Sequence, residues 1–283
     1  MSAGGFLESS VCDSSFLVGV VMNRFDTTDC FLCGLIALSA LLGVFYCFQL
    51  GTSVSLLSAA TESPGGFAVV ELFNSEDASA GAAADVLLGK LVAEEERTGL
   101  SVYCMTYHVD SLDHQGWADP FSETGFTERH LSYSRRLEAK GDLPQMIVNG
   151  TRRVFEAQRT DAVQAISQAL TQVAPVSLQV KAVATGRDVQ VNCQVQNAPP
   201  EAELIVVWVE PTVTSTPDRG PNQGSQFKHV NVVRDLRSVA LNPQFEGKVT
   251  LRRPNQHTGT VIAFVQEPGH GRILGAASTM VDE

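Results

Sequence analysis

The stretch that decides the fold is Val69–Asp85, whose sequence is VVELFNSEDASAGAAAD. It opens with an apolar run that is typical of a buried strand, and it continues through a polar turn into a helix-forming segment. A tight turn that leads into a helix N-terminus is a common place for a reactive group, because the helix end stabilises negative charge. The turn at 75–81 contains no cysteine. We therefore expect the shape of an active-site turn without its chemistry.

Strand and helix patterns alternate on both sides of this stretch up to residue 174. The patterns predict strands at 67–73, 100–109 and 146–149, and helices at 82–96, 127–140 and 160–170. From Val176 onward, alternating strands are predicted in SLQVKAVA, DVQVNCQVQ, ELIVVWVE, GKVTLRR and TVIAFVQE. This order predicts an α/β domain at 67–174, followed by a β-rich, sandwich-like domain at 175–283.

The N-terminal part contains one membrane-like run, FLCGLIALSALLGVFYCFQL at 31–50. It carries no charged residue, and a helix of about twenty residues is long enough to cross a bilayer. We predict a polar segment at 1–29, a transmembrane helix at 30–50 that contacts the lipid bilayer through 31–50, and a linker at 51–66. Arg24 is the only basic residue before the run, so the positive-inside rule places the C-terminal domains on the non-cytosolic side.

The overall charge argues against one class of function. The chain has 31 acidic and 20 basic residues, which gives a net charge of -11. A phosphate backbone would be repelled, because the basic residues occur only in short groups such as Arg135-Arg136. We therefore expect no nucleic-acid partner.

Several segments resemble the secreted thioredoxin-like family known as domain of unknown function 1223. They occur in the order of the family and are VVELFNSEDASAGAAADVLLGKL, YHVDSLDHQGWADPFS, FTERHLSYSRRL, LPQMIVNG, HVNVVRDLRSV and VIAFVQEPGHGRILGAA. The resemblance runs from about residue 67 to the C-terminus, so the predicted membrane span lies outside it. It implies a thioredoxin-like domain, a β-rich C-terminal extension and a place on the exported side of a membrane.

The resemblance also explains the turn without cysteine. The family carries two cysteines there at thioredoxin spacing, and Ala78 and Gly81 occupy these positions. Neither residue supplies the thiolate that dithiol exchange requires. The resemblance further implies a cis-proline at Pro144, which would border a binding groove. We predict no catalytic residue, no cofactor and no enzyme activity.

One polar loop remains as a candidate site, with His108, Asp110, Asp113, His114 and Trp117. Imidazoles and carboxylates are ligand types for a divalent metal, but their order matches no recognised metal motif. The simpler interpretation is a loop whose polar side chains bond to the nearby backbone. We therefore predict no metal site.

Two functional hypotheses follow. The first is a non-catalytic, membrane-anchored accessory subunit of a larger membrane complex, such as a respiratory or other energy-converting complex, whose partners are the other subunits. The mitochondrial inner membrane is the expected location, with the bacterial plasma membrane as the alternative. The second is an exported-side peptide-binding or metal-dependent thioredoxin-like protein without dithiol chemistry.

Overall fold

The computed structural model describes residues 65–154, 158–220, 222–254 and 258–281. Within these ranges, no helix combines the length and the apolar character that a membrane crossing requires. The predicted span at 30–50, the segment at 1–29 and nearly all of the linker at 51–66 lie outside the described residues.

The described chain is a mixed α/β structure with one large sheet. Its three helices are α1 (Gly81–Thr98), α2 (Thr124–Arg136) and α3 (Arg159–Leu170). Its strands are β1 (Ala68–Asn74), β2 (Val102–His108), β3 (Gln145–Val148), β4 (Arg152–Val154), β5 (Ser177–Thr185), β6 (Asp188–Gln196), β7 (Glu203–Ser215), β8 (Phe227–Ala240), β9 (Gln244–Arg252), β10 (Gly259–Gln266) and β11 (Ile273–Val281).

Strand β1 lies at the centre of the N-terminal half, and all seven of its residues are buried. It pairs in parallel with β2 and antiparallel with β3, which in turn pairs antiparallel with β4. Helices α1 and α3 pack on one face of these strands through an apolar cluster that includes Leu88 and Ile166. Helix α2 packs on the other face through Phe126 and Tyr133. Burial on both faces explains why the β1 sequence is an unbroken apolar run apart from Glu71 and Asn74.

The C-terminal strands extend the same sheet. The eight-stranded order is β11-β10-β7-β8-β2-β1-β3-β4, and β8 joins β2 in parallel at Thr106 and Val232. Strands β5, β6 and β9 form a separate sheet that packs on this half through a core containing Val191 and Trp208. The domain boundary between 174 and 175 stays a prediction, and the large sheet continues across it.

A buried polar cluster, here called the sheet network, links β1, α2 and β10. Arg129 Nε donates to Glu71 Oε1 at 2.7 Å, and Tyr133 Oη donates to Glu71 Oε2 at 2.5 Å. Arg129 Nη2 also donates to Gln266 Oε1 at 2.9 Å. All four side chains are buried, so the charge of Glu71 is matched inside the protein. The network connects the two halves of the chain.

The predicted element types agree with the structure, with differences at the ends and three missed strands. Helix α2 begins at Thr124 and ends at Arg136, earlier than the predicted 127–140. Strand β4 has only three residues, two of them arginines. Strand β8 contains charged residues in its second half, and β11 consists mostly of small residues, which have weak strand preference.

Candidate functional site

The turn between β1 and α1 is tightly packed. Asn74 Nδ2 donates to the carbonyl oxygen of Gly81 and to Asp85 Oδ1, both at 3.1 Å. A Cβ atom added to Gly81 would lie 2.8 Å from Asn74 Oδ1 and 2.9 Å from the carbonyl oxygen of Ser75. Ala78 and Gly81 are both buried. The two positions that the resemblance assigns to cysteines are therefore closed off, and residue 81 has no room for a side chain.

The carboxylate of Glu76 is the centre of the contacts around this turn. It accepts hydrogen bonds from Trp117 Nε1 at 2.6 Å, from His229 Nε2 at 3.0 Å and from Ser215 Oγ. The side chain of Asn222 donates to the carbonyl oxygen of Glu76 at 2.6 Å. Glu76 is fully buried, so these donors replace the water that the carboxylate would otherwise bind.

His229 on β8 lies between two carboxylates. Its Nε2 faces Glu76, and its Nδ1 lies 2.8 Å from Asp85 Oδ2. Burial lowers the pKa of His229, but the hydrogen bonds to Asp85 and Glu76 outweigh this effect and raise the pKa to about 9. The ring of Phe227 stacks on the imidazole with centroids 5.4 Å apart. His229 is thus a buried imidazolium, and both of its N–H groups donate hydrogen bonds. We call His229, Glu76 and Asp85 together the turn network.

His108 lies beside the turn network. Its Nδ1 is 2.7 Å from Asp119 Oδ2, and its ring centroid is 4.5 Å from that of His229. Burial raises the pKa of Asp119, while the hydrogen bond and charge of His108 lower it, and the lowering prevails. Asp119 Oδ2 also accepts a hydrogen bond from the backbone N–H of Glu76 at 2.9 Å. The Asp119–His108 pair therefore supports the turn rather than opening toward solvent.

The remaining residues of the predicted polar loop bond to their own surroundings. Asp110 accepts hydrogen bonds from the Thr124 and Thr127 hydroxyls, which lower its pKa. Asp113 accepts a hydrogen bond from Ser122 Oγ at 2.8 Å. His114 lies in the same short 3₁₀ helix as these two aspartates.

The structure thus brings His108 and Trp117 to the turn network and keeps Asp110 and Asp113 in their local loop. In the described part of the chain, no group of three or more His, Cys, Asp or Glu side chains is arranged to hold a metal ion. The metal-dependent hypothesis gains no support from this geometry.

The described cysteines provide no substitute for the missing dithiol. Cys104 and Cys193 are both buried and unpaired with another cysteine. Burial raises the pKa of Cys193 to about 11, and it raises the pKa of Cys104 further still. Both sulfurs are therefore neutral thiols at physiological pH, without the thiolate that exchange chemistry requires.

Pro144 precedes β3, and its peptide bond with Leu143 is cis, the isomer that the resemblance implies. The side chain of Pro144 is half-buried. A groove at Pro144 stays a prediction.

Sequence reasoning did not identify His229, Ser215 or Asn222 as members of this site. His229 contacts Asp85, which is 144 positions away, and Asn222 contacts Glu76 across 146 positions. No local spacing encodes such contacts, so only the fold reveals them. A histidine within the apolar strand pattern HVNVV was the one local feature that could have drawn attention.

Two solved structures are similar to this chain to very different degrees. The crystal structure of a protein from Agrobacterium tumefaciens matches with a TM-score of 0.54 and 24% identity, over 76% of this chain and 93% of that chain. A family 76 glycoside hydrolase from a bovine Bacteroides thetaiotaomicron strain matches with a TM-score of only 0.25 and 13% identity, over 38% of this chain and 20% of that chain. The first likeness concerns the fold, and the second is too weak to support any argument.

No curated protein matches the chain. The sequence does match one family, described as "Protein of unknown function (DUF1223)", over residues 69–266. This range includes the turn network and ten of the eleven strands in whole or in part. The chain belongs to the DUF1223 family.

Proposed function

We propose that this chain is a non-catalytic, thioredoxin-like, membrane-anchored protein that serves as an accessory subunit of a larger membrane complex. The observation that carries the proposal is the turn network. Where the family resemblance places two cysteines, the chain has the buried residues Ala78 and Gly81. The same turn carries Glu76 and leads to Asp85, and both carboxylates bond to the buried imidazole of His229.

The strand arrangement supports a thioredoxin-like domain at 67–174. Its strands lie in the order β2-β1-β3-β4, with β1 parallel to β2 and antiparallel to β3, and with β3 antiparallel to β4. Helix α1 follows β1 directly through the turn, and it packs on the same face as α3. A scaffold of this kind supports many functions, so the argument for function depends on the turn and not on the fold.

Two contacts support the loss of dithiol chemistry. A cysteine at Gly81 would bring its Cβ within 3 Å of Asn74 and of the Ser75 backbone, so the turn has adapted to glycine. The hydroxyl of Ser215 and the side chain of Asn222 bond to Glu76 across the turn. Ala78 itself is only 5% exposed, so a substrate disulfide could not approach this position without a change in the turn.

The membrane part of the proposal is based on the sequence. The uncharged run at 31–50 is long enough to span a bilayer, and the charge at Arg24 favours the non-cytosolic side for the described domains. As the location, we propose an energy-converting complex of the mitochondrial inner membrane, with the bacterial plasma membrane as the alternative.

The decisive test is extraction of the native membrane in mild detergent, followed by sizing and mass spectrometry. We expect the chain to migrate in a large assembly with other subunits in fixed proportion. Migration of the chain as an isolated protein would contradict the proposal of an accessory subunit.

A dithiol-exchange assay tests the non-catalytic part separately. The full chain in detergent should reduce a disulfide substrate no faster than buffer does, with an active thioredoxin as the positive control. Activity that disappears in a Cys104→Ala variant would show that a buried thiol had taken over the reaction.

A further inference from the structure

A small pocket lies where the end of α3, the edge strand β4 and the start of β11 come together. Its volume is about 160 Å³, which is enough for a ligand of several heavy atoms. The buried apolar side chains of Val148, Ala165 and Ile273 form one part of its lining. The exposed residues Arg152 and Arg272 form another part. The pocket therefore combines apolar surface with two guanidinium groups.

Strand β4 directs Arg152 toward the side of the sheet that carries α3. Arg152 and Val154 lie on the same face of β4, because side chains alternate along a strand. Val154 is buried in the apolar cluster that contains Ala165 and Ile166 of α3. Strand β4 is also the last strand of the eight-stranded sheet. The guanidinium of Arg152 is thus placed beside α3 at an open edge of the sheet.

Backbone contacts bring Arg272 to the same place. The N–H of Ile273 donates to the carbonyl oxygen of Asn149 at 3.1 Å. A Cβ atom on Gly150 would lie 2.2 Å from the carbonyl oxygen of Gly271, so the turn after β3 packs directly on the segment before β11. The two segments that carry the arginines are therefore fixed against each other. A ligand that binds there does not have to order them first.

The pocket is positively charged in a chain whose net charge is -11. Its lining, among the described residues, contains no Asp or Glu. Within the same part of the chain, Arg152 forms no ion pair, and Arg272 forms one with Glu267, at 3.4 Å between Nη2 and Oε1. That pair uses one of the five N–H donors of the guanidinium. The three side chains together carry one net positive charge.

We propose that this pocket binds a small organic monocarboxylate, with its carboxylate at Arg152 and Arg272 and its short carbon chain on the buried apolar side chains. The inference goes beyond the proposed function and does not depend on it. A guanidinium matches a carboxylate through two parallel N–H···O hydrogen bonds. The single net charge suits a monoanion, and Val148, Ala165 and Ile273 remove the carbon chain from water.

Two other ligands fit these observations less well. A phosphate group carries close to two negative charges at neutral pH. Its second charge would have no matching cation, because Glu267 already shares the charge of Arg272. Inorganic phosphate also has no carbon atoms to cover the apolar lining. A metal cation would be repelled by the two guanidinium groups.

Ligand-observed NMR on the full chain in a neutral detergent tests the inference, with butyrate as the probe and butanamide as its uncharged analogue. We expect saturation transfer to butyrate that is strongest at its methyl protons, and binding of butanamide that is weaker by at least about tenfold. Inorganic phosphate should displace butyrate only at a concentration more than about tenfold higher. A smaller difference between the two probes, or displacement by phosphate below that concentration, would overturn the inference.

Arg152→Met and Arg187→Met are the matched pair of variants. Each removes one exposed guanidinium and the same charge, but Arg187 lies in the turn between β5 and β6, outside the pocket. Arg152→Met should weaken butyrate binding by at least about tenfold, and Arg187→Met should leave it unchanged. Equal butyrate affinities in the two variants would mean that the pocket is not the site.

A change of shape provides a further measurement that keeps both arginines. Ala169 on α3 is half-buried and lines the pocket, so Ala169→Leu should fill part of the space that the carbon chain would occupy. We expect butyrate binding to weaken by a factor similar to that of Arg152→Met. Binding as tight as in the wild type would place the ligand outside the pocket and contradict the inference.

Discussion

The turn network and the sheet network each compensate the charge of a buried glutamate, but they use different cationic side chains. Each buries a glutamate, Glu76 in the first and Glu71 in the second, and each surrounds it with donors. The sheet network uses Arg129, which stays protonated at any physiological pH. The turn network uses His229, whose pKa is raised to about 9 and still lies within reach of an alkaline titration. The sheet network should therefore be insensitive to pH, and the turn network should weaken as pH rises.

The largest expected effect comes from breaking the sheet network. In Arg129→Met, Glu71 keeps its burial but loses its cation, so we expect a loss of about 3–5 kcal/mol in the free energy of unfolding. Chemical unfolding of the full chain in detergent, followed by the fluorescence of the two tryptophans, measures it.

The matched control for this change is Arg219→Met, which removes an exposed ion pair with Asp218. An exposed pair contributes about 0–1 kcal/mol, so the control should remain near the wild type. Equal losses of unfolding free energy in the two variants would show that burial does not determine how much the Arg129–Glu71 pair stabilises the fold.

The next effect is the alkaline weakening of the turn network. Because the pKa of His229 is raised from 6.5 to about 9, the stability it contributes is fully present below pH 6.5. That contribution, about 3 kcal/mol, should be lost as pH rises through about 9. Unfolding curves between pH 6.5 and 9.5 measure this slope.

The variant His229→Gln isolates the source of the slope. It removes the titrating group next to Glu76 and Asp85, so the wild-type slope should be absent from it. A slope of the same size in both proteins would assign the pH dependence to other groups.

His130 should give a smaller effect of opposite direction. It is buried, neither ring nitrogen has a hydrogen-bond partner in the described atoms, and burial together with the charge of Arg153 lowers its pKa to about 4. The unfolded chain therefore binds a proton below pH 6.5 that the folded chain does not, and stability falls as pH decreases. His130→Leu should be close to wild type at pH 7.5 and more stable by about 2 kcal/mol at pH 5. Identical acid profiles would contradict the lowered pKa.

The smallest effect concerns one donor of the turn network. Ser215→Ala removes the hydroxyl that donates to Glu76 but leaves the Trp117 and His229 contacts, so we expect a loss of about 1 kcal/mol. Ser238→Ala is the control, because its hydroxyl bonds to Glu203 at the surface. A loss of unfolding free energy as large as that of Arg129→Met would mean that Ser215 contributes more to the site than its one hydrogen bond to Glu76.

The sequence predicted those parts of the fold that local patterns encode. The apolar run at 67–73 and the helical spacing at 82–96 correspond to β1 and α1 within two residues. The alternating segments after Val176 correspond to β5, β6, β7, β9 and β10. Strand β8 was missed because its second half, with Arg234, Asp235 and Arg237, breaks the apolar alternation.

The candidate site was predictable only in part. The positions Ala78 and Gly81 followed from the family resemblance, and His108 and Trp117 from residue type in one loop. The role of Glu76 could not be read from the sequence, because its partners Ser215 and His229 arrive from β7 and β8. Contacts between distant segments depend on how the sheet is ordered, and periodicity within one segment carries no information about that order.

The pairing of β2 with β8 in the middle of the large sheet has a consequence for how the chain folds. Thr106 and Val232 are far apart in sequence, yet their strands lie side by side. Closing so long a loop costs chain entropy before the contact returns any free energy. The hairpins β5–β6 and β10–β11 and the unit from β1 to β2 can form from residues that are near in sequence. The pairing of β2 with β8 can form only after the N-terminal and C-terminal strands are both in place. Folding of this protein should therefore be slow, and a chain caught before that last pairing would present two unprotected strand edges to its neighbours.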